Sequence, residues 1–411
     1  MSFEPPRFPL PVRAALVAWR RAQTVGVGRV SLTEASLIDA AQRGARLHDF
    51  VDESFRDPMR LMLTSLEQEA RLHPLGRVIV RESLVRALVN RLRLEELSSQ
   101  HPEIAEIPVE APVFVVGLQR TGTTLLHRLL VCEPRLRGLA AWEGLNPAPF
   151  PCGRRARRPD PRIRPAKVSE HALRYLAPEL FAIHPVEAEA PEEDIHLLDV
   201  SFVSPAIDAI ARVPSYQAWF RQVDQLPAYR YMRRLMQLLL WQRSGRWLGK
   251  TPHHMEYLPE LLTVFPDAKI VMTHRDPART VASFCSMMAH SRAMFCDDVD
   301  PSEIGEQFGA KAVRAVERLM QAREGASPGS FHDVLYQDLV QDPFKEVRRI
   351  YDFIGVELAP ETEATMRQWH TANSQTKHGV HSYRLEDFGL ERTRLDPHFE
   401  AYRERFGVPA E

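Results

Sequence analysis

Residues 113–130, VFVVGLQRTGTTLLHRLL, contain the pattern that decides the fold of this chain. The first five form a short apolar run, rich in β-branched and aromatic side chains, that ends in glycine. Such a run is typical of a strand buried in a parallel sheet. After a glycine-bearing turn, residues 125–133, LLHRLLVCE, predict a helix. Strand, turn and helix in this order predict the opening of an α/β unit.

The turn between this strand and helix, GLQRTGTT at residues 117–124, has the composition of an anion-binding loop. The unpaired amides at the start of the helix and the helix dipole both favour a negative charge there. Gly117 and Gly122 permit backbone geometry that larger residues resist. Arg120 offers a guanidinium fork for phosphate or sulfate oxygens, and two threonine hydroxyls follow the second glycine.

The same glycine spacing occurs in the nucleotide triphosphatase loop, so a P-loop kinase or related phosphotransferase is the nearest alternative. Thr123, however, stands where that loop has its lysine. Residues 269–276, KIVMTHRD, end in His-Arg-Asp, and the sequence contains no strand whose final aspartate is clearly placed for magnesium. A phosphosulfate bound without magnesium therefore fits the turn better than a triphosphate. A tight turn that binds no ligand is the remaining alternative.

A second α/β unit is predicted in the later half of the chain. Strands are predicted at residues 246–250, RWLGK, at residues 269–275, KIVMTHR, and within residues 330–339, SFHDVLYQDL. Helices are predicted for the segments that follow them, MEYLPELLTVF, PARTVASFCSMMA and DPFKEVRRIYDFIGV. The sequence thus predicts a three-layer, P-loop-like α/β fold in which helices cover both faces of a central parallel sheet.

Two further regions have helical periodicity. Residues 12–100 place apolar side chains at steps of three and four residues, and residues 168–244 return to this pattern after a loop rich in proline and arginine. We therefore expect an N-terminal helical region over 1–110 and a main domain over 111–411. Within that domain, a helical insertion at about 145–245 is expected to form the acceptor pocket.

Composition and charge restrict the class of protein. The 53 basic and 54 acidic residues nearly cancel, which argues against a nucleic-acid-binding protein. Apolar residues make up 44% of the chain, as in a globular protein with a sizeable core. The four cysteines fit no zinc pattern, and no apolar stretch is long enough to span a membrane. With no targeting signal in view, we expect a cytoplasmic protein without an integral membrane segment.

Four segments, taken in order, resemble the family of sulfotransferases that depend on 3′-phosphoadenosine-5′-phosphosulfate (PAPS), and its bacterial branch in particular. They are the turn at residues 117–124, GKTPHH at residues 249–254, THRDPARTVASF at residues 273–284 and VLYQDLVQDP at residues 334–343. The resemblance covers roughly residues 110–390. It implies an enzyme that moves a sulfuryl group from PAPS to an acceptor hydroxyl, releases adenosine 3′,5′-bisphosphate and requires no metal.

The resemblance also implies roles for individual residues. Arg275, at a strand end, and Ser283, in the next helix, would hold the 3′-phosphate of the nucleotide, and Tyr336 would pack against its adenine. Lys250 would contact the transferring sulfuryl group, and Arg120 would act electrostatically because a guanidinium cannot donate a proton at neutral pH. The full set implied for donor binding is Arg120, Thr121, Gly122, Thr123, Thr124, Arg275, Ser283, Tyr336, Lys377 and Tyr383.

A hydroxyl acceptor also needs a general base, and the chain offers three candidates. Glu143, in LAAWEGLNP, follows the first helix of the α/β unit, and Trp142 would form an apolar wall beside it. His253 and His254 stand next to the lysine of GKTPHH, and the proline inside that segment leaves open which histidine faces the site. We favour Glu143, because the Trp-Glu pair after this helix resembles the bacterial branch.

An acidic cluster follows Pro191 and consists of Glu192, Glu193 and Asp194. Acidic residues at the start of a helix are explained by the helix dipole and by capping. A role in the acceptor site, or as the base, is the alternative interpretation.

The acceptor is expected to be a small-molecule, glycan or lipid hydroxyl, and the sequence does not choose among these. A non-catalytic nucleotide-binding protein of the same fold is the second alternative to the transferase. It would bind the donor without turnover. The oligomeric state leaves no signal in the sequence.

Overall fold

The structure of the protein is a computed structural model that describes residues 7–151, 159–327, 329–373 and 383–411. The strands are β1 Val113–Gly117, β2 Leu136–Gly138, β3 Arg246–Lys250, β4 Lys269–His274 and β5 Phe331–Leu335. The α-helices are α1 Leu10–Thr24, α2 Glu34–Ala45, α3 Arg56–Gln68, α4 Pro74–Gln100, α5 Thr123–Leu130, α6 Ala141–Leu145, α7 Ile163–Leu176, α8 Pro178–Ile183, α9 Ile195–Asp199, α10 Pro214–Phe220, α11 Leu226–Gln242, α12 Leu258–Val264, α13 Pro277–Ala293, α14 Pro301–Glu324, α15 Tyr336–Gln341, α16 Pro343–Ile354, α17 Pro360–Ala372 and α18 Arg392–Phe406.

The five strands form one sheet in the order β2-β3-β1-β4-β5, and every neighbouring pair is parallel. In the register of the central strand, Val113 of β1 is level with Leu248 of β3 and with Lys269 of β4. From β1 the chain first builds the β2–β3 side of the sheet and then crosses to the β4–β5 side. The strand order therefore reverses at β1, and ligands of open α/β sheets bind outside the carboxyl ends of the strands at such a point.

Helices cover both faces of this sheet, as the sequence predicts. Val113 and Val115 of β1 pack into a cluster with apolar residues of α5 and α16. Phe114 and Val116 point to the opposite face and join a larger cluster with α4, α11, α12 and α14. Successive side chains of a strand alternate between its two faces, so a fully apolar strand such as β1 needs a helical layer on each side. The fold is the predicted P-loop-like α/β architecture.

The N-terminal helices and the inserted helices pack on each other over one face of the sheet. The buried guanidinium of Arg91 in α4 lies 4.2 Å from the centre of the Tyr231 ring of α11 and donates to the Val200 carbonyl oxygen at 3.2 Å. Arg234 of α11 binds both carboxylate oxygens of Glu95 of α4, at 2.9 and 2.7 Å. Because both regions contribute to one hydrophobic cluster, they form a continuous helical layer.

Two local features differ from the sequence predictions. The edge strand Leu136–Gly138 was not predicted, because three residues are too few to show a period of two. The helix predicted for MEYLPELLTVF is shorter than expected: Pro252–Glu256 form a 3₁₀ turn, and α12 begins only at Leu258. Pro259 explains this start, because proline lacks the N–H that an interior helical position donates and fits best in the first turn.

Candidate active site

Four of the predicted site segments follow the ends of adjacent parallel strands. The turn at residues 117–122 follows β1, Lys250 is the last residue of β3, Arg275 comes directly after β4, and Tyr336 directly after β5. Because the strands are parallel and adjacent in the order β3-β1-β4-β5, these positions share one edge of the sheet. This edge is the place where an open α/β sheet binds its ligand.

The turn after β1 directs the N-terminus of α5 toward this edge. Gly122 caps the helix with a φ of 88°, a left-handed conformation that favours glycine. A methyl group there would also lie 2.7 Å from the Leu339 side chain and 3.3 Å from the Tyr336 ring, so the turn packs closely on α15. Arg120 has a φ of 69° and an exposed side chain. The unpaired amides of the first turn of α5 therefore face a site suited to an anion.

Two threonines of the turn have buried side chains, and a third is exposed. The Thr121 hydroxyl lies 2.6 Å from the Leu118 carbonyl oxygen and 2.6 Å from the Thr273 hydroxyl of β4. These contacts tie the turn to the neighbouring strand, so Thr121 holds the loop in shape through its side chain. Thr123 is buried and Thr124 is exposed in the first helical turn.

Arg275 contacts the turn after β1, the Tyr336 ring and an anionic group. Its Nη1 donates to the Arg120 carbonyl oxygen at 3.0 Å, and its guanidinium lies 4.0 Å from the centre of the Tyr336 ring. Its Nε and Nη2 bind the carboxylate of Glu411, at 2.9 and 2.7 Å. The guanidinium fork is thus already engaged with a carboxylate, which is the kind of partner it would find in a phosphate.

Asp276 fixes the segment that brings Glu411 to Arg275. Its carboxylate is fully buried, caps α13 through the Ala278 amide and accepts from the Glu411 amide at 3.0 Å. Arg392 also binds Asp276, at 2.8 Å, and donates to the Glu411 carbonyl oxygen. Neither the sequence pattern nor the resemblance indicated this contact, because it joins residues 135 positions apart.

The remaining predicted donor residues are placed as follows. Ser283 lies nearly two turns into α13 and is buried. The Tyr383 ring lies 5.6 Å from the Arg279 guanidinium of the same helix. Lys377 is outside the described residues.

Lys250 forms a buried ion pair with Glu193, at the wall of a cavity. The Lys250 Nζ lies 2.7 Å from Glu193 Oε1, and Glu193 Oε2 accepts from the Thr251 hydroxyl at 3.1 Å. Burial acts to raise the pKa of Glu193, but the charge and hydrogen bond of Lys250, together with the neighbouring His184 and His196, hold the pKa below its ordinary value. Glu193 is therefore ionised at neutral pH and able to accept a proton.

A second buried carboxylate fixes the acidic segment against β3. The Asp194 amide donates to the Lys250 carbonyl oxygen at 3.1 Å, and its side chain is fully buried. Among the described residues, no hydrogen-bond donor reaches either carboxylate oxygen, and His254 Nε2 lies 3.6 Å from Asp194 Oδ2. The other nitrogen of His254 lies 2.9 Å from the Tyr229 hydroxyl. The carboxylate fits here because Gly249 has no side chain.

Gly249→Ala should destabilise the protein, because a methyl group at this position would overlap the Asp194 carboxylate and press on the Phe114 ring. Overpacking of this kind costs about 1–3 kcal/mol, which urea denaturation measures as a lower free energy of unfolding. Gly44→Ala in α2 is the matched control, since its new methyl group meets only Val89 Cγ2 at 3.7 Å. This helical replacement should stabilise by about 0.5–1 kcal/mol. Equal stability of Gly249→Ala and wild type would contradict the packing argument.

Glu143 occupies a different environment from the one expected. Both of its carboxylate oxygens bind the buried guanidinium of Arg137, at 2.9 and 2.7 Å, and one also accepts from the Ala140 amide at 3.1 Å. The Trp142 ring packs on the Arg162 guanidinium, which lies 4.5 Å from its centre. Both carboxylate oxygens of Glu143 are thus engaged by Arg137 and the Ala140 amide, whereas Glu193 lines a cavity.

The two histidines after Lys250 point to different places. His253 lines the cavity, and burial, followed by the charge of Lys311, holds its pKa well below the ordinary value. Among the described residues neither ring nitrogen of His253 has a hydrogen-bond partner, so the neutral ring can still bind a polar group in the cavity. His254 instead faces Tyr229 and Asp194, away from the cavity lining.

A largely apolar cavity of about 520 Å³ opens beside the Lys250–Glu193 pair. Its size is within the range of small-molecule sites. Glu193, Thr251 and His253 form part of its polar lining. Apolar walls come from the N-terminal helices, from the insertion and from α13 and α14. Examples from these regions are Met62, Leu84, Leu180, Ile207, Phe284 and Phe308. The N-terminal region thus contributes to the pocket together with the insertion.

One cluster of potential metal ligands lies in the same wall. Single donor atoms of His184, Glu192 and Glu193 lie within 4.8 Å of one another. The Glu193 carboxylate already binds Lys250 and Thr251, so an ion there would compete with the lysine. The chemistry of the cluster is therefore better described as an ion pair than as a metal centre.

The sequence pattern left the role of Glu193 open, because Glu-Glu-Asp before a helix has an ordinary explanation in the helix dipole. In the structure Pro191 forms a bridge with Ala140, which brings the acidic segment to the edge of the sheet. That pairing becomes visible only in the fold.

Comparisons with known proteins identify the family of this chain. A family model described as "Sulfotransferase family" matches residues 112–361. The omega-hydroxy-beta-dihydromenaquinone-9 sulfotransferase Stf3 of Mycobacterium bovis is 26% identical over 321 residues, which are 72% of this chain and 75% of that protein.

Two crystal structures are similar over nearly the whole chain. Sulfotransferase STF1 from Mycobacterium tuberculosis H37Rv is 32% identical with a TM-score of 0.78, and the match covers 90% of this chain and 98% of that one. Sulfotransferase STF9 from Mycobacterium avium is 28% identical with a TM-score of 0.84, over 93% and 98% of the two chains. Since the family model spans more than half of its residues, this protein belongs to the sulfotransferase family.

Proposed function

We propose that this enzyme transfers a sulfuryl group from PAPS to the hydroxyl group of an apolar, lipid-like acceptor. The observation that carries the proposal is the position of Glu193. Its carboxylate binds Lys250, at the edge of the sheet where the donor would bind, and it also lines the apolar cavity. One ion pair therefore connects a site for an anionic donor with a site for an apolar acceptor.

The donor would be held at two ends of the same edge. The amides at the start of α5 and the exposed Arg120 suit the phosphosulfate, and Arg275 suits the 3′-phosphate. The Tyr336 ring packs against Arg275 and would offer a flat apolar face to the adenine of the nucleotide. Because the Glu411 carboxylate occupies the Arg275 fork, it would have to leave before a phosphate could bind there. PAPS supplies an activated sulfuryl group.

In the transfer step the acceptor oxygen forms a bond to sulfur while the bond between sulfur and the 5′-phosphate oxygen breaks. The hydroxyl proton passes to Glu193, and the electron pair of the broken bond stays on the phosphate. Lys250 and Arg120 stabilise the negative charge that accumulates on the oxygens. Such a loose transfer depends on positioning and electrostatics more than on covalent chemistry by the protein.

The cavity supports an acceptor with a long apolar body and one hydroxyl group near Glu193. Its lining is mainly apolar, and its polar members include Glu193, Thr251 and His253 beside the ion pair and Asp208, Glu256 and Lys311 elsewhere in the wall. The relative from Mycobacterium bovis is named for an omega-hydroxylated dihydromenaquinone. We therefore infer a lipid hydroxyl, in preference to a glycan or a peptide.

An acceptor series tests the proposal directly. With labelled PAPS and primary alcohols of increasing length, kcat/KM should rise by about fourfold for each added methylene group until the cavity is full, since burial of one CH₂ contributes about 0.8 kcal/mol. Ala312→Phe, which narrows the cavity, should lower kcat/KM for long alcohols and leave short ones unaffected. If the protein binds adenosine 3′,5′-bisphosphate but transfers label to none of the alcohols, the proposed acceptor class is refuted.

A further inference from the structure

The first helix of the chain, α1, presents an apolar stripe to the solvent. Leu10, Ala14 and Val17 follow one another at steps of four and three residues, so they lie on one face of the helix. Leu10 is 75% exposed and Val17 is 49% exposed, and Val25, just after the helix, is 76% exposed. The opposite face packs on the protein through Leu16, which is buried. A helix normally buries its apolar face, so this second, outward stripe requires an explanation.

The charged side chains in and around α1, over residues 7–30, are all positive. Residues 7–30 contain the arginines Arg7, Arg13, Arg20, Arg21 and Arg29 and neither aspartate nor glutamate. Arg20 binds Asp297, whereas Arg13 and Arg21 are exposed on or beside the apolar stripe. The whole chain, by contrast, has a formal net charge of only -1. The segment therefore combines exposed apolar side chains with a local positive charge.

α1 lies against one wall of the acceptor cavity. The Phe8 ring, just before α1, packs edge-on against His73, with ring centres 5.4 Å apart. The His73 amide donates to the Phe295 carbonyl oxygen at 3.0 Å, and Phe295 lines the cavity. Asp297, which binds Arg20, is two residues further along the chain. The outward stripe of α1 is thus on the side of the molecule where this wall of the cavity lies.

We propose that α1 docks on the surface of an anionic lipid bilayer. Basic amphipathic helices of this composition lie in the plane of a membrane, with apolar side chains in the headgroup region and arginines near lipid phosphates. None of the described helices is long and apolar enough to cross a membrane, so α1 would lie along the surface. A docked α1 would also hold the cavity close to lipid acceptors in the bilayer. This second step rests on the proposed function, whereas the docking itself does not.

Vesicle flotation tests the proposal with the full chain. The protein should float with phosphatidylcholine vesicles that contain phosphatidylglycerol, and binding should weaken with pure phosphatidylcholine or at high salt. The double variant Leu10→Glu/Val17→Glu should lower the partition coefficient by about tenfold or more, and Arg13→Glu/Arg21→Glu by a similar factor. All four side chains are exposed, so the fold should be retained. Val340→Glu, an exposed valine on α15, is the matched control and should float like the wild type.

Three results would overturn the proposal. The first is a wild-type protein that does not float, and the second is that the α1 variants float as well as the wild type. The third is a change from dimer to monomer in the variants, measured by sedimentation, which would make α1 an interface between two copies of the chain. Titration with adenosine 3′,5′-bisphosphate separates this test from that of the proposed function. Vesicle binding without bisphosphate binding would refute the donor site and leave the docking surface standing.

Discussion

Glu193→Gln is expected to lower kcat by about 10²- to 10⁴-fold, which is the usual contribution of a general base. The amide retains the size of the carboxylate and can still contact Thr251 and Lys250, but it cannot take the proton from the acceptor hydroxyl. The affinity for adenosine 3′,5′-bisphosphate should remain close to that of the wild type, because Glu193 lines the acceptor cavity. Steady-state kinetics and a binding titration on the same preparation measure both quantities.

Two neighbouring carboxylates serve as controls for this result. Glu192→Gln changes an adjacent buried carboxylate and should alter kcat by less than about tenfold, since a group without a role in proton transfer leaves the catalysed step intact. Glu143→Gln should instead reduce stability, by about 3–5 kcal/mol, because it leaves the buried Arg137 with an uncompensated charge. A folded Glu143→Gln protein without turnover, next to an active Glu193→Gln protein, would show that the base had been assigned to the wrong residue.

Arg275→Ala is expected to weaken the binding of adenosine 3′,5′-bisphosphate by about 100-fold, or 2.7 kcal/mol, since hydrogen bonds to charged groups contribute about 1.5–3 kcal/mol each. The variant removes the fork that would bind the 3′-phosphate. It also removes the bond from Arg275 to the Arg120 carbonyl oxygen, which supports the turn. Isothermal titration calorimetry with the bisphosphate measures the change directly.

Removing the charge of Glu411, which Arg275 binds, should change the affinity for the bisphosphate in the opposite direction. Glu411→Gln should tighten bisphosphate binding, because the phosphate would no longer compete with a charged side chain for the fork. Arg43→Ala, at an exposed helical position paired with Asp39, should leave the affinity unchanged. If Arg275→Ala and Arg43→Ala bound the bisphosphate equally well, the 3′-phosphate would have to lie elsewhere.

The Lys250–Glu193 pair has a physical consequence for the enzyme without its substrates. Both groups are largely buried, so neither can be left without a partner at low cost. Each supplies the charge that the other needs until substrates arrive. In the proposed transfer Lys250 would turn to the sulfuryl oxygens, and Glu193 would then lose part of this stabilisation and become a stronger base. The pair thus links the arrival of the donor to the readiness of the base.

Much of the fold was predictable from local patterns. The strand at residues 113–117 is a short apolar run, and the glycine-bearing turn between β1 and α5 has a distinctive composition. These signals depend on neighbouring residues only, so they are present before the chain folds. They were sufficient to predict the parallel sheet, and the four matching segments were sufficient for the family.

What only the tertiary structure decided is which side chains meet. Glu193 reaches Lys250 across 57 positions of the chain, and Glu411 reaches Arg275 across 136. A carboxylate beside a helix start, or at the end of a chain segment, has the same local signature whether it is solvated or paired with a buried cation. The sequence determined the sheet, the anion-binding turn and the family, because these follow from local periodicity and motif. The pairing of Glu193 with Lys250 and the shape of the cavity depend on contacts between distant segments, which no local pattern specifies.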